Sequence, residues 1–486
     1  MTYTATDLFC GAGGSSTGLV AAGFELKMAA NHSPVAITTH SANHPDAEHL
    51  CADINNVDMR RLPRTDVLWA SPICTEISPA GGNRRTGRPS QLGLTDEECE
   101  PVESAAFIRT RATAYDVVRA VEVHKYKVIM VENVTEFVTD WGLFNWWFSG
   151  VEQQGYVGQI VSVSSAHVGG EVLAPAPQWR NRVYVVFTRS DIKVPDLRPR
   201  PLAWCPECAE DVRAVQSWRN GRKVGKYGMQ YDYRCPNSKC QNARVEPYVR
   251  PAAAAIDWSD LGTPIGSRTR PLAAKTLARI QGGLDEYPQR ASLVTVNHGG
   301  HDGRTALPEL APLPSRTARV GEGLVVPQGM LVPTGGTWRT GGTALAEPMP
   351  TRTTRESDGL LTIPGSFVVT MRRNGKHAPV TKPLAAVTAG GRHHGLVIPY
   401  RKGVAKSTDE PLLTLATRDS AGLLRPGVDI DSCHFRMLQP REQLNAQAFP
   451  ETYLIHGTKH EQTLQAGNAV SCNVAEWIGR RVLAAL

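Results

Sequence analysis

Three side-chain types in this sequence stand where they could do chemistry together: a cysteine and a carboxylate at the ends of apolar runs, and two arginines one residue apart. Cys74 lies in Ala70-Ser-Pro-Ile-Cys74-Thr-Glu-Ile-Ser78, just beyond the apolar run Val67–Ala70. A thiolate is a strong nucleophile, and Pro72 stiffens the approach to it. Glu132 closes Val128-Ile-Met-Val-Glu132-Asn133-Val134. A carboxyl shielded at a strand end can keep a proton for a reacting base. Arg180 and Arg182, in Gln178-Trp-Arg180-Asn-Arg182, alternate ahead of a further apolar run, so both should point to one face. Each has a plainer reading taken singly. A lone cysteine is usually a small buried hydrophobe, and the arginines could form a surface ion pair.

A second candidate is the turn Asp7-Leu-Phe-Cys-Gly-Ala-Gly-Gly14, between a strand and a helix. Glycines let such a turn bend sharply and approach a ligand closely, and the following helix offers free N–H groups. Asp7, Phe9, Gly11 and Gly13 are the candidate contacts here. The signal is shared by many nucleotide binders, and a full G-x-G-x-x-G is absent. At the next strand end Asn31 stands where a ribose diol usually meets an acidic residue, and Asp53-Ile54 is a candidate contact for an adenine amino group.

Ten cysteines could suggest a disulfide scaffold, but four cluster at Cys205, Cys208, Cys235 and Cys240 while the other six are scattered. Two short knuckles carrying four thiolates predict a structural zinc ribbon with no open coordination position. Residues 201–250 also carry nine Lys/Arg against five Asp/Glu, with Trp204, Trp218, Tyr227, Tyr231 and Tyr233.

These groups must be held by a scaffold, and 486 residues suffice for two or three units. Residues 1–190 alternate strands (Thr4–Phe9, Val67–Ala70, Val128–Val131, Ile160–Val163, Val183–Thr188) with helices such as Ser16–Ala22 and Ala112–Val123. That pattern predicts a mostly parallel sheet with helices on both faces, whose ligands sit beyond the carboxyl ends of the strands. The segment 431–486 ends in a predicted helix, Val474–Leu486. The middle, 191–430, holds most of the 34 prolines and reads as an insert. Within it 200–250 is the cysteine module and 270–430 holds a degenerate repeat. Each repeat runs from Pro to Thr five residues on and then to a Gly-Leu strand, as in Pro312/Thr317/Gly323, Pro348/Thr353/Gly359 and Pro383/Thr388/Gly395. Stacked units would form an extended β surface with basic loops bearing Arg316, Arg319, Arg352, Arg355, Arg372, Arg373, Arg392, Arg401 and Lys402.

The charge follows the same division. The net +7 resolves into −5 over 1–190, +12 over 191–430 and zero over 431–486. A basic insert in an otherwise acidic chain is expected to face a polyanion. No apolar run is long enough to span a bilayer, and the N-terminus reads as that of a cytosolic chain.

Taken in order, these segments resemble the DNA (cytosine-5-)-methyltransferase family. The matching residues are Asp7–Gly14, Pro72-Ile-Cys74, Glu132-Asn133-Val134, Gln178-x-Arg180-x-Arg182, Arg436-Met-Leu-Gln-Pro-Arg-Glu442 with Phe449-Pro450, and Gln465-Ala-Gly467-Asn468-Ala469-Val470. The resemblance covers about 1–190 and 430–486, and the basic insert falls where such enzymes carry their target-recognition region. It departs from the common pattern twice: Ser-Pro-Ile-Cys-Thr stands for Pro-Pro-Cys-Gln, and Asn31 for an acidic ribose contact.

The resemblance implies a Rossmann-like methyltransferase sheet with an inserted, mostly β target-recognition domain. It implies S-adenosylmethionine as donor, with Asn468 and Val470 joining the cofactor contacts. It implies Cys74 as nucleophile, Glu132 at the base N3, Arg182 at O2 and Arg180 in support of the same pocket. The substrate is then double-stranded DNA with its cytosine flipped out. The protein is expected to be a cytoplasmic monomer, in a bacterial or phage-infected cell, with a cognate restriction endonuclease as partner. Three alternatives stay open: a non-catalytic DNA binder on the same frame, a transferase using a modified donor, and an RNA substrate.

Overall fold

The computed structural model describes residues 2–72 and 103–255, 257–280 with gaps, the backbone of short strands between 294 and 397, and 431–486 except 432–433. Cys74, the loop 75–90 and the basic residues of the repeat loops lie outside the described residues.

The catalytic-frame elements are β1 (Thr4–Leu8), α1 (Gly14–Ala22), β2 (Glu25–Asn31), α2 (Pro34–Asn43), β3 (Glu48–Cys51), β4 (Val67–Ala70), α3 (Glu103–His124), β5 (Val128–Asn133), α4 (Glu136–Thr139), α5 (Phe144–Glu152), β6 (Tyr156–Ser164), β7 (Gln178–Trp179) and β8 (Asn181–Arg189). Seven strands form one sheet in the order β3-β2-β1-β4-β5-β8-β6. The first five are parallel, and β8 runs antiparallel between β5 and β6. Side-chain alternation explains the burial on both faces. Val67 and Trp69 of β4 and Val128 and Met130 of β5 enter one core with Leu19 and Ala22 of α1 and Val474, Ile478 and Val482 of the C-terminal helix Cys472–Leu483. Leu68, Ala70, Ile129 and Val131 enter the other, with Val117 and Val121 of α3 and Trp147 and Val151 of α5. The mostly parallel sheet covered on both faces is the architecture the apolar runs predict.

The C-terminal helix is pinned to this frame through a fully buried carboxylate. Glu476 accepts the main-chain N–H groups of Glu171, Val172 and Leu173 at 2.9, 3.0 and 2.7 Å and pairs with Arg480 at 2.7 Å. Glu476→Ala strands three amides at once, so a loss of about 3 kcal/mol is expected. Urea denaturation of the full chain would read it.

The cysteine module contains β9 (Leu202–Cys205), β10 (Glu210–Arg213), β11 (Val215–Trp218), β12 (Tyr231–Arg234) and β13 (Arg244–Val245). β9 pairs with β10, and β12 lies between β11 and β13. Its core is small: Ala203, Cys205, Val212, Ala214, Tyr231, Tyr233, Cys235 and Val245.

In the repeat region the three Gly-Leu segments are strands, at 322–325, 358–361 and 394–397. They do not stack into one surface. The first and third share a sheet, with Val325 opposite Val397, whereas the second pairs with 330–333 in a separate three-stranded sheet. The strand His434–Met437 pairs with Thr263–Pro264 and with 323–324, tying the C-terminal segment into the insert. Among the described residues no helix is long and apolar enough to cross a membrane.

Candidate active site

Strand ends position the catalytic candidates. β5 carries Glu132 and Asn133 at its carboxyl end, beside β4, whose chain runs on to Pro72. Asn133 Nδ2 donates to the main-chain oxygen of Pro72 at 3.1 Å, and Asn133 Oδ1 accepts Val134 N–H at 2.8 Å. This amide fastens the chain two residues before Cys74. The sequence reading quoted Asn133 but gave it no task.

Glu132 faces Arg182 across the β5–β8 ladder. Its Oε1 lies 3.2 Å from Arg182 Nε, both side chains being mostly buried at 10% and 12% exposure. Arg182 Nη1 also donates to the main-chain oxygen of Asn181 at 2.9 Å. Tyr184, two residues on, is fully enclosed. Burial raises its phenol well above the ordinary value, and the Glu132 charge raises it further while Arg180 and Arg182 oppose. Glu132 and Arg182 therefore meet on one face of the sheet, beside Tyr184, while Arg180 lies between β7 and β8.

Arg180 nevertheless has a distinct task. It is 3% exposed, and its Nη1 and Nη2 donate to the main-chain oxygens of Gly467 and Ala469 at 3.3 and 2.8 Å. It joins the strand of the arginine pair to the C-terminal segment that carries Asn468 and Val470.

The glycine turn is closed on one side and open on the other. Phe9, Gly11 and Gly13 have positive φ angles of 62°, 53° and 85°, which ends β1 and swings the chain into α1. A Cβ at Gly14 would overlap the main-chain oxygen of Val470, whereas one at Gly11 would meet nothing within 4 Å. Tyr453 Oη donates to the main-chain oxygen of Ala12 and braces the turn from behind. Asp7 is fully buried beneath it. Its Oδ2 accepts Ser15 and Ser16 hydroxyls at 2.5 and 2.6 Å, and its Oδ1 has no hydrogen-bond partner among the described residues. Burial pushes its carboxyl up to about 7 against the opposing hydroxyl hydrogen bonds.

Asn31 ends β2 and accepts Ser33 N–H through Oδ1 at 2.9 Å. Asp53 is exposed and caps the short turn Ile54–Asn56, with Ile54 buried beneath. Asn468 is exposed at the end of the helix Lys459–Asn468, and Val470 is buried against Gly14. The buried orphan oxygen of Asp7, the open backbone at Gly11 and the polar strand ends at Asn31 and Asp53 fit a polar ligand of nucleoside type.

The four candidate metal ligands converge, their sulfurs all within 4.8 Å of one another. Cys205 Sγ lies 3.9 Å from Cys240 Sγ, and Cys208 Sγ 3.9 Å from Cys235 Sγ. A tetrahedron with Zn–S bonds of 2.3 Å has S–S edges of about 3.8 Å. Asn237 supports the sulfurs through its main-chain N–H to Cys235 Sγ at 3.5 Å and its Nδ2 to Cys208 Sγ at 3.6 Å.

His167, which no motif marks, is buried where this module meets the sheet. It stands edge-on to Trp179, Tyr227 and Tyr233, with ring centroids 4.4 to 5.0 Å away. Neither ring nitrogen has a hydrogen-bond partner among the described residues, and burial alone pushes its pKa down to about 3. Its neutral form belongs to the folded state, so its stabilisation is present above the ordinary value of 6.5. It is lost as the pH falls from 6.5 toward 3, by about 1.4 kcal/mol per pH unit. His167→Phe should keep the ring contacts and lessen the fall in thermal midpoint between pH 7 and pH 5. An equal fall in both proteins would refute this assignment.

Comparison with known proteins gives the family. A family model described as C-5 cytosine-specific DNA methylase matches residues 3–219 and 365–484. The Type II methyltransferase M.AgeI of Thalassovita gelatinovora is 27% identical over 189 residues, which are 37% of this chain and 38% of that protein. M.PspPI of Psychrobacter sp. (strain TA137) is 28% identical over 194 residues, 39% and 40% of the two. The alignments thus span about two fifths of the length of these curated relatives. A solved structure of Spodoptera frugiperda DNMT2 covers 99% of this chain and 100% of its own at 12% identity, with a TM-score of 0.48. Matched on both sides of residues 220–364, the chain belongs to the C-5 cytosine-specific DNA methylase family.

Proposed function

We propose that this protein transfers a methyl group from S-adenosylmethionine to C5 of cytosine at a specific sequence in double-stranded DNA. The observation that carries the reading is the Glu132–Arg182 pair at 3.2 Å, beside an Asn133 that fastens Pro72 just ahead of Cys74. Cytosine C5 is a poor nucleophile. Bonding of the Cys74 sulfur to C6 makes C5 enamine-like and divides one hard step into easier ones. Glu132 places a proton at N3, so negative charge does not build up on the ring. Arg182 holds O2 and keeps Glu132 oriented, and Arg180 fixes the Gln465–Val470 segment behind the same pocket. When bound, S-adenosylmethionine supplies the electrophilic methyl group that C5 takes up. Loss of the C5 proton to a water molecule then expels the Cys74 thiolate, and the N3 proton returns to Glu132. Asp7, Phe9, Gly11, Gly13, Asn31, Asp53, Ile54, Asn468 and Val470 would hold that donor.

The target atom is hidden in stacked DNA, so the cytosine must leave the helix, at a cost of a few kcal/mol that DNA contacts offset. The basic insert and the loop 75–90 are suited to supply those contacts, which makes binding salt-dependent. On this reading 1–190 and 431–486 form the catalytic unit, and 191–430 the target-recognition unit. Cys205, Cys208, Cys235 and Cys240 hold one structural Zn2+. The relatives are named Type II methyltransferases. On that likeness the protein acts as a monomer in the cytoplasm, alongside a restriction endonuclease of the same specificity. The test is transfer of labelled methyl groups to duplex DNA by the full chain, with bisulfite sequencing of the product. Cys74→Ser should abolish transfer while DNA binding persists. Undiminished transfer by that variant refutes the mechanism.

A further inference from the structure

The cysteine module clasps the strand that carries the paired arginines. The main-chain N–H of Tyr227 donates to Asn181 Oδ1 at 3.1 Å, and Asn181 directly precedes Arg182. The Tyr227 ring stacks on Trp179, with centroids 5.4 Å apart and planes at 26°. Lys226 Nζ reaches Glu136, four residues after Glu132, at 2.7 Å, and Gly225 N–H donates to Ser162 Oγ at 3.3 Å. On its far side the segment 225–228 rests on the module core. Tyr227 meets Tyr231 and Tyr233, and those rings share that core with Cys205 and Cys235. A core this small holds its shape poorly without a staple, and a bound metal is the staple this one can have.

We propose that the four-cysteine module is a metal-dependent brace for the Glu132–Arg182 pair, with Asn181, Lys226 and Tyr227 as positioning residues. The proposal rests on the methyl-transfer reading and on occupation of the thiolates by Zn2+. Metal holds Tyr231 and Tyr233 in place, these hold the 225–228 segment, and its Tyr227 amide holds Asn181 and with it Arg182. Loss of the metal therefore loosens the catalytic guanidinium first, whereas the glycine turn, with β4 and β5 between β1 and β8, is reached at second hand through Arg180 and the 467–470 segment.

The test uses the full chain, Zn2+-loaded and then stripped by a chelator. Stripping should lower kcat at least tenfold and leave the dissociation constant for S-adenosylmethionine within about twofold, and added Zn2+ should restore kcat. Asn181→Ala should lower kcat by about tenfold with one Zn2+ still bound per chain. Asn181→Asp keeps the acceptor for the Tyr227 amide and should recover most of that loss, which a purely structural role would not produce. Hydrogen exchange over 178–184 should accelerate on stripping. That readout stands apart from turnover, so an inactive wild-type chain would sink the methyl-transfer reading and leave the brace to be judged by exchange. Unchanged exchange over 178–184 overturns the brace. So does a stripped protein that loses DNA affinity alone while keeping kcat.

Discussion

Arg182→Met is expected to lower kcat for methyl transfer about a thousandfold. In the proposed mechanism the guanidinium holds O2 of the base, and it lies 3.2 Å from Glu132, which it keeps oriented. Glu132→Gln should fall comparably, because an amide cannot exchange a proton with N3. The double variant separates chemistry from folding. Each single change leaves one member of a largely buried pair without its partner, which destabilises. Changing both removes the stranded charge, so the thermal midpoint should recover toward wild type. Turnover should not recover, since groups that act as a unit lose little more together than apart. Steady-state transfer and thermal melts on the four proteins give the comparison. Recovery of turnover in the double variant would show that the pair is structural only.

The second large effect is expected at Gly14. An added Cβ would overlap the carbonyl oxygen of Val470 and stand 3.2 Å from the Phe449 ring. Neither can yield cheaply. Val470 lies two residues before the C-terminal helix, and the neighbouring Ala469 oxygen is held by Arg180. Gly14→Ala should cost about 3 kcal/mol or more. It should also weaken S-adenosylmethionine binding beyond that of a surface control, because the proposed function assigns both the turn and the 468–470 segment to the donor. Calorimetric titration alongside melting would separate the two. A Gly14→Ala protein with the wild-type midpoint would mean that α1 and this segment do not meet as described.

The frame was legible because its strands are buried on both faces, and doubly buried strands read as continuous apolar runs. Thr4–Leu8, Val67–Ala70 and Val128–Asn133 lie close to where those runs predict them. Phe9 falls outside its strand because its φ of 62° turns the chain, a backbone property that apolarity does not encode. The arginine pair was legible as a spacing, but its division of labour was not. Alternation predicts Arg180 and Arg182 on one face, and only the return of the chain near residue 467 gives Arg180 its carbonyl partners. The cysteine spacing announced a cluster of ligands. The clasp between Lys226 and Glu136, 90 residues apart, has no local signature. The repeat predicted its Gly-Leu strands but not their sorting into two sheets, because similar sequences can pair with the same edges and spacing alone does not choose among them.

The packing of Cys472–Leu483 against Gly14–Ala22 has a consequence for synthesis. The helix Gly14–Ala22 finds its partner about 450 residues later in the chain, so the apolar face of Leu19, Ala22 and Phe24 waits uncovered until that segment has been made. Nascent chains should therefore depend on a chaperone, and products stopped before residue 472 should aggregate rather than accumulate as partial binders.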